Sequence, residues 1–163
     1  MRGPERVQAA LKATGLDVKP IRLQKSARTA QLAAEALNTA LGSIVKSLVF
    51  LADGEPVLVL VAGDRRADPV KLKRLLGARR VMIADAERVK QETGFSIGGV
   101  PPIGHRQSLP TLIDASLARF ETLYAAAGHP FAVFPVAFET LVHITNGQVA
   151  DVTEIPLMEE KGK

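Results

Sequence analysis

The sequence contains no cysteine. That excludes a disulfide framework, thiolate catalysis and any cysteine-ligated metal. Tryptophan is absent and Tyr124 is the single tyrosine, so the aromatic platforms on which single-stranded RNA bases stack are poorly supplied. No apolar run reaches the roughly 20 residues of a membrane span. The opening Met1-Arg2-Gly3-Pro4-Glu5-Arg6 lacks the apolar core of a secretory signal. A cytoplasmic location without a membrane partner is therefore expected. His105, His129 and His143 are far apart, with no carboxylate at zinc-ligand spacing, so no metal site is expected. There is no Gly-Lys-Ser/Thr phosphate loop and no dinucleotide fingerprint, hence no sign of a cofactor. A Gly-x-Ser-x-Gly nucleophile elbow is missing too, which disfavours a serine hydrolase.

What is present is globular. Of 163 residues, 47% are hydrophobic and 23% charged, the composition of one folded domain spanning residues 1–163. Net charge is +4 and the isoelectric point about 9.6. The positive charge is clustered: Arg65, Arg66, Lys71, Lys73, Arg74, Arg79 and Arg80 face only Asp64 and Asp68 in their section of chain. Such a section is either a solvated helix face or a phosphate-facing patch.

The chain is organised around Ile44-Val45-Lys46-Ser47-Leu48-Val49-Phe50-Leu51, which reads as a buried strand. Lys46 is its anomaly, because an ammonium group is almost never buried without a partner. Either the strand lies at an edge and Lys46 reaches water, or Lys46 points into a polar cleft. Asp53-Gly54 then turns the chain into a second apolar strand over 57–61, predicting an antiparallel hairpin at the centre of a sheet.

Around this hairpin, a helix is predicted over 4–14 and a short strand over 18–23. A second helix begins at the Thr29 cap and carries an apolar stripe up to Gly42. Asp68-Pro69 opens a third helix that stops at Gly77, and Val81-Met82-Ile83 is a short strand. Asp85 caps a helix ending at Gly94. Strands are predicted over 111–115 and 122–127. Near the end, Asn146-Gly147 suits a hairpin, whereas Pro135 at a first turn with Phe138, Leu141 and Val142 on one face suits a helix. The helix is favoured, followed by a closing strand over 148–152 and a frayed polar tail from Glu159. Without regular alternation of strand and helix, the fold class is α+β with a mixed sheet.

The stretch from Gly94 to His105 holds four glycines and two prolines. A rigid loop with bare amide N–H groups can bind a phosphate, or the oxyanion formed when water attacks an ester. It can equally be a plain turn. Asp114 reads as a cap rather than a base.

Together, Gly42-Ser43-Ile44-Val45-Lys46-Ser47-Leu48-Val49-Phe50, Gly98-Gly99-Val100-Pro101-Pro102-Ile103-Gly104, Leu112-Ile113-Asp114-Ala115-Ser116-Leu117 and Ala126-Ala127-Gly128 resemble the YbaK/EbsC family. That family is related to the insertion (editing) domain of bacterial prolyl-tRNA synthetases. The resemblance runs from about Val7 to Val152. It implies a curved, partly barrel-like mixed sheet surrounded by helices. It also implies trans-editing, the hydrolysis of a small mischarged amino acid from tRNA by a free-standing domain. The alternatives are an inactive tRNA- or synthetase-binding module and a hydrolase of another small acyl ester.

By the same resemblance, Lys46 lies near the tRNA 3′ end, and Gly98 and Gly99 face the ester as catalytic loop residues. Ile21, Ser47, Ile97, Val100, Pro101, Ile103, Gly104 and Ala126 are the expected pocket wall. Arg65, Arg66, Lys71 and Arg74 are the expected contacts to the tRNA acceptor end, and an aminoacyl-tRNA synthetase is a candidate partner. Members acting on cysteinyl-tRNA carry Ser and Asp where this chain has Ala126 and Val133, which tells against cysteine specificity and not against the hydrolase class.

Overall fold

The computed structural model describes residues 3–154; the tail expected to fray lies outside them. Helix α1 (Gly3–Ala13) leads through β1 (Ile21–Arg22) to α2 (Ala30–Leu37) and the hairpin β2 (Ile44–Ala52) and β3 (Glu55–Ala62). Then follow α3 (Pro69–Leu76), β4 (Val81–Ile83), α4 (Ala86–Thr93) and β5 (Thr111–Asp114). The chain continues through β6 (Leu123–His129) and β7 (Ala132–Val136) to α5 (Phe138–Thr145) and β8 (Gln148–Ala150). The sheet is mixed, as expected, in the order β1-β7-β6-β2-β3-β5-β8, with β4 also on β2. Among the described residues, this path is open from β1 to β8.

The central hairpin forms because Asp53 and Gly54 both take positive φ, 50° and 87°, as a two-residue turn matching the strand twist requires. Both strands read as continuous apolar runs because both faces of the sheet are covered. Val45, Val49, Leu58 and Leu60 pack with α1, α4 and α5. Phe50, Val57, Val59 and Val61 pack on the other face with Leu72 of α3, while Ile44 meets Ala33 and Ala34 of α2.

One edge of β2 pairs with β3 along its length. The other is shared between two strands. Parallel β6 covers only Ile44 and Val45, and antiparallel β4 covers Phe50 to Ala52, with Ala84 N–H reaching Val49 O at 2.9 Å. Between them the sheet splits, and Lys46, Ser47 and Leu48 have no strand on that side.

Three expectations are corrected. The second helix stops at Leu37, not near Gly42, because Asn38 adopts the left-handed conformation (φ 53°) and its N–H bonds back to Ala34 O and Glu35 O. A short 3-10 turn, Leu41–Ser43, then enters β2. Pro135 does not begin a helix. It lies in β7, a strand the sequence reading omitted, opposite Tyr124 of β6. β1 covers only Ala132 and Val133 of β7, so Pro135 sits along an open edge where a missing N–H is tolerated. The early strand shrinks to Ile21–Arg22. The last helix is present, ending at the left-handed Asn146.

Asp114 is a cap, as read, and more. Buried to 1% exposure, its carboxylate accepts from Ser116 N–H and the Ser116 hydroxyl at the following 3-10 turn. It also accepts from Val152 N–H at 2.9 Å and the Thr153 hydroxyl at 3.2 Å. One side chain thus ties β5 to the segment after β8.

Candidate active site

The split in the sheet opens into a cavity of about 310 Å³. Lys46 and Ser47 of β2 form one wall, and Tyr124, Ala126, His129 and Val133 of the β6–β7 hairpin form the opposite wall. Arg28 and Thr29 close it from the entry to α2, and Ile97, Gly98 and Val100 from the glycine-rich loop. The lining is mainly apolar, and Ala126 and Val133 are register partners.

Lys46 also borders a second depression, an open groove of about 860 Å³. Leu48 and Phe50 share its face of β2, Met82 and Ile83 flank it, and Asp64, Arg65 and Arg66 form its polar side. Lys46 is half-buried, and its Nζ donates to Arg65 O at 2.7 Å. Burial lowers its pKa below the ordinary lysine value, and the Arg66 charge lowers it further, against an upward pull from Asp64. Arg119 grips Asp64 through both nitrogens, at 2.7 and 3.0 Å. That pairing, ahead of all other influences, keeps the Asp64 carboxyl below its usual pKa. Asp64 is therefore already paired, and Lys46, Arg65 and Arg66 outnumber Asp64 and Glu154 along the groove.

In the glycine loop, Gly99 N–H donates to Ser96 O at 3.0 Å, closing a turn whose third residue, Gly98, has φ +94°. That pattern requires glycine. A side chain at Gly99 would press to within 2.9 Å of the His129 backbone, so the loop sits directly against the β6–β7 turn. The expectation of bare amides is thereby corrected for Gly99, whose N–H is committed.

The expected wall residues divide. Lys46, Ser47, Ile97, Gly98, Val100 and Ala126 surround one cavity. Ile21, Gly99, Pro101, Ile103 and Gly104 do not line it. Ile21 is 38% exposed on the β1 edge. Pro101 is buried, its carbonyl hydrogen-bonded to His105 Nε2 at 2.7 Å, and Ile103 packs on the main core. Gly104 abuts Ala10 of α1. Pro101, Ile103 and Gly104 brace the loop from behind.

The basic residues divide similarly. Arg65 and Arg66 border the groove. Lys71 is held by Asp151 at 2.9 Å and Thr153 O at 2.7 Å, and Arg74 is exposed on α3. The sequence reading missed Arg28, Thr29 and the Asp64–Arg119 clamp. The clamp joins positions 55 apart in the chain, which no local signal reveals. The expectation of a turn at His129 is corrected: it is the last residue of β6, paired with Ala132, and it walls the cavity. Among the described residues, no group of three or more His, Cys, Asp or Glu side chains is arranged to hold a metal ion.

Residues 24–144 match the family model of the aminoacyl-tRNA editing domain. The chain belongs to this family. The editing domain is similar to YwhH of Bacillus subtilis, 37% identical over 64% of this chain and 67% of that one. EbsC of Enterococcus faecalis, named for Cys-tRNA(Pro)/Cys-tRNA(Cys) deacylation, is 29% identical over 77% of each. Proline–tRNA ligase of Nitratidesulfovibrio vulgaris is 44% identical over 48% of this chain, which spans only 14% of the ligase. A crystal structure described as a trans-editing enzyme for prolyl-tRNA synthetase superimposes with a TM-score of 0.89 at 41% identity, covering 95% of this chain and 99% of that one. No helix among the described residues is long and apolar enough to cross a membrane.

Proposed function

We propose that this editing domain, acting as one unit over residues 1–163, hydrolyses the ester of a mischarged aminoacyl-tRNA carrying a small amino acid. One observation carries the assignment: Lys46 borders both a mainly apolar cavity and a more open groove flanked by Arg65 and Arg66. An aminoacyl ester has the same two halves, a small acyl group and a polyanionic chain. The acyl group fits the cavity, and the terminal ribose and phosphate fall beside Lys46 and Arg66. The ester is already activated, so positioned water and a preorganised polar environment suffice without a strong base. The relatives named for tRNA deacylation and trans-editing support this reading, and the ligase match supports an aminoacyl-tRNA synthetase, prolyl-tRNA synthetase first, as a partner. A tRNA substrate supports a cytoplasmic location.

The cavity selects by size and charge. A missing methylene changes binding in such a pocket by only about 1–3 kcal/mol, whereas a side chain as long as glutamyl, lysyl or tyrosyl must displace wall atoms, and a lysyl ammonium would also meet the like charges of Arg28 and Lys46. Alanyl, seryl, cysteinyl and threonyl esters should be hydrolysed within about 10² of one another, and glutamyl, lysyl and tyrosyl esters not at all. Release of amino acid from a panel of mischarged tRNAs measures this. A glutamyl, lysyl or tyrosyl ester as best substrate would overturn it.

For the groove, Arg66→Gln should weaken tRNA binding and flatten the log–log salt dependence by about one phosphate contact. Lys71→Gln should change the slope less, because Asp151 already engages Lys71. Equal slopes for wild type and Arg66→Gln would make Arg66 an ordinary surface charge.

A further inference from the structure

The split beside β2 has a polarity that follows from the hairpin. A two-residue turn makes Ala52 and Glu55 a hydrogen-bonded pair, and such pairs alternate along an antiparallel ladder. The pairs Phe50–Val57, Leu48–Val59 and Lys46–Val61 follow from the register, and Gly63 N–H to Ile44 O at 2.8 Å continues the series. Odd-numbered residues of β2 therefore point their N–H and C=O away from β3. Val49 does so, its carbonyl accepting from Ala84, and Val45 is bridged to β6. Ser47 lies between them, and neither neighbour reaches it. Its N–H and C=O face the cavity edge with no backbone partner among the described residues. Its hydroxyl is also buried without one.

An uncommitted N–H and C=O on one strand residue are the complement of an amino acid. The geometry points to Ser47 binding the aminoacyl group as a one-residue strand added to β2. Ser47 N–H donates to the ester carbonyl oxygen, and Ser47 C=O accepts from the α-ammonium group. The pairing is that of an antiparallel hydrogen-bonded pair, and it turns the side chain out of the plane of the sheet into the cavity. Water adds to the carbonyl carbon while Ser47 N–H holds the developing oxyanion. The carbon–oxygen bond to ribose then breaks as a proton of that water passes to the ribose oxygen, giving free amino acid and a tRNA hydroxyl. Ser47 in this role, rather than Gly99, agrees with the Gly99 N–H being committed to Ser96 O.

This inference rests on the deacylase reading, and the experiment separates the two. The ¹⁵N-labelled protein is titrated with 3′-(alanylamino)-3′-deoxyadenosine, whose amide replaces the ester. The Ser47 amide proton should move downfield on saturation and the Gly99 amide should move little. Ser47→Pro removes the N–H without breaking a bond to β3. If it folds, it should lose about 10²-fold in kcat with a nearly unchanged KM. Propionyl-tRNA, which lacks the ammonium group, should be hydrolysed at least tenfold more slowly than alanyl-tRNA. If Ser47→Pro does not fold, the amide shift and the propionyl comparison decide. An active wild type with a Ser47 amide that stays still at saturation, or with equal rates on propionyl and alanyl esters, overturns the Ser47 assignment alone. A wild type inert on every mischarged tRNA overturns the deacylase reading and this inference with it.

Discussion

Lys46→Ala should abolish deacylation, lowering kcat/KM by at least about 10²-fold, while the protein keeps its fold. Lys46 lines both cavity and groove, the proposed function sets the ribose and terminal phosphate beside it, and charge-assisted contacts of this kind are the strong ones. Its effect on stability is small and of predictable sign. Burial, assisted by Arg66, lowers the lysine pKa in the folded protein. Charged Lys46 is thus disfavoured relative to the unfolded chain, and that penalty fades as pH rises through the lowered folded pKa. Replacing it removes the penalty along with the bond to Arg65 O, so the net change should not exceed about 1 kcal/mol. Deacylation of alanyl-tRNA and a thermal melt, run on the same preparation, measure both. Wild-type activity in the variant would leave Lys46 without an anchoring role.

Asp114→Ala should produce the opposite pattern, a large loss of stability with the chemistry intact in the molecules that remain folded. Its carboxylate gathers donors from Ser116, Val152 and Thr153 in a buried setting. Truncation strands these groups without partners, each at roughly 1–3 kcal/mol, partly offset by relaxation. A net loss of about 3 kcal/mol is expected, which for a chain of this size lowers the melting midpoint by roughly 6–12 °C. A midpoint within about 2 °C of wild type would show that the carboxylate is dispensable.

The sequence reveals the parts of this molecule whose signals are local. The β2–β3 hairpin is announced by two apolar runs and Asp53-Gly54, and the α3 and α4 starts by Asp68 and Asp85. Lys46 stands out because it interrupts a buried strand. The omitted strand β7 shows the limit. Phe131 to Val136 is an apolar run, but Pro135 and the later Phe138, Leu141 and Val142 fit a helix equally well. Only the β6 partner decides, and it pairs from positions 123–129. The resemblance implies Gly104, Pro101 and Ile103 as pocket wall along with their whole loop, yet a loop has two sides and sequence does not say which one faces the cavity. The Ser47 edge was illegible for a related reason. That two different strands leave a gap between them is a property of the sheet, not of β2.

The parallel bridge between Ile44 and Tyr124 joins positions that stand far apart in the chain. The β2–β3 hairpin can form from neighbours alone, whereas the second wall of the cavity must come from the C-terminal third. Loop closure over such a separation is slow compared with hairpin formation. During synthesis, Lys46 therefore emerges well before the residues that wall the far side of the cavity. A chain interrupted before β6 would carry the lysine without the pocket.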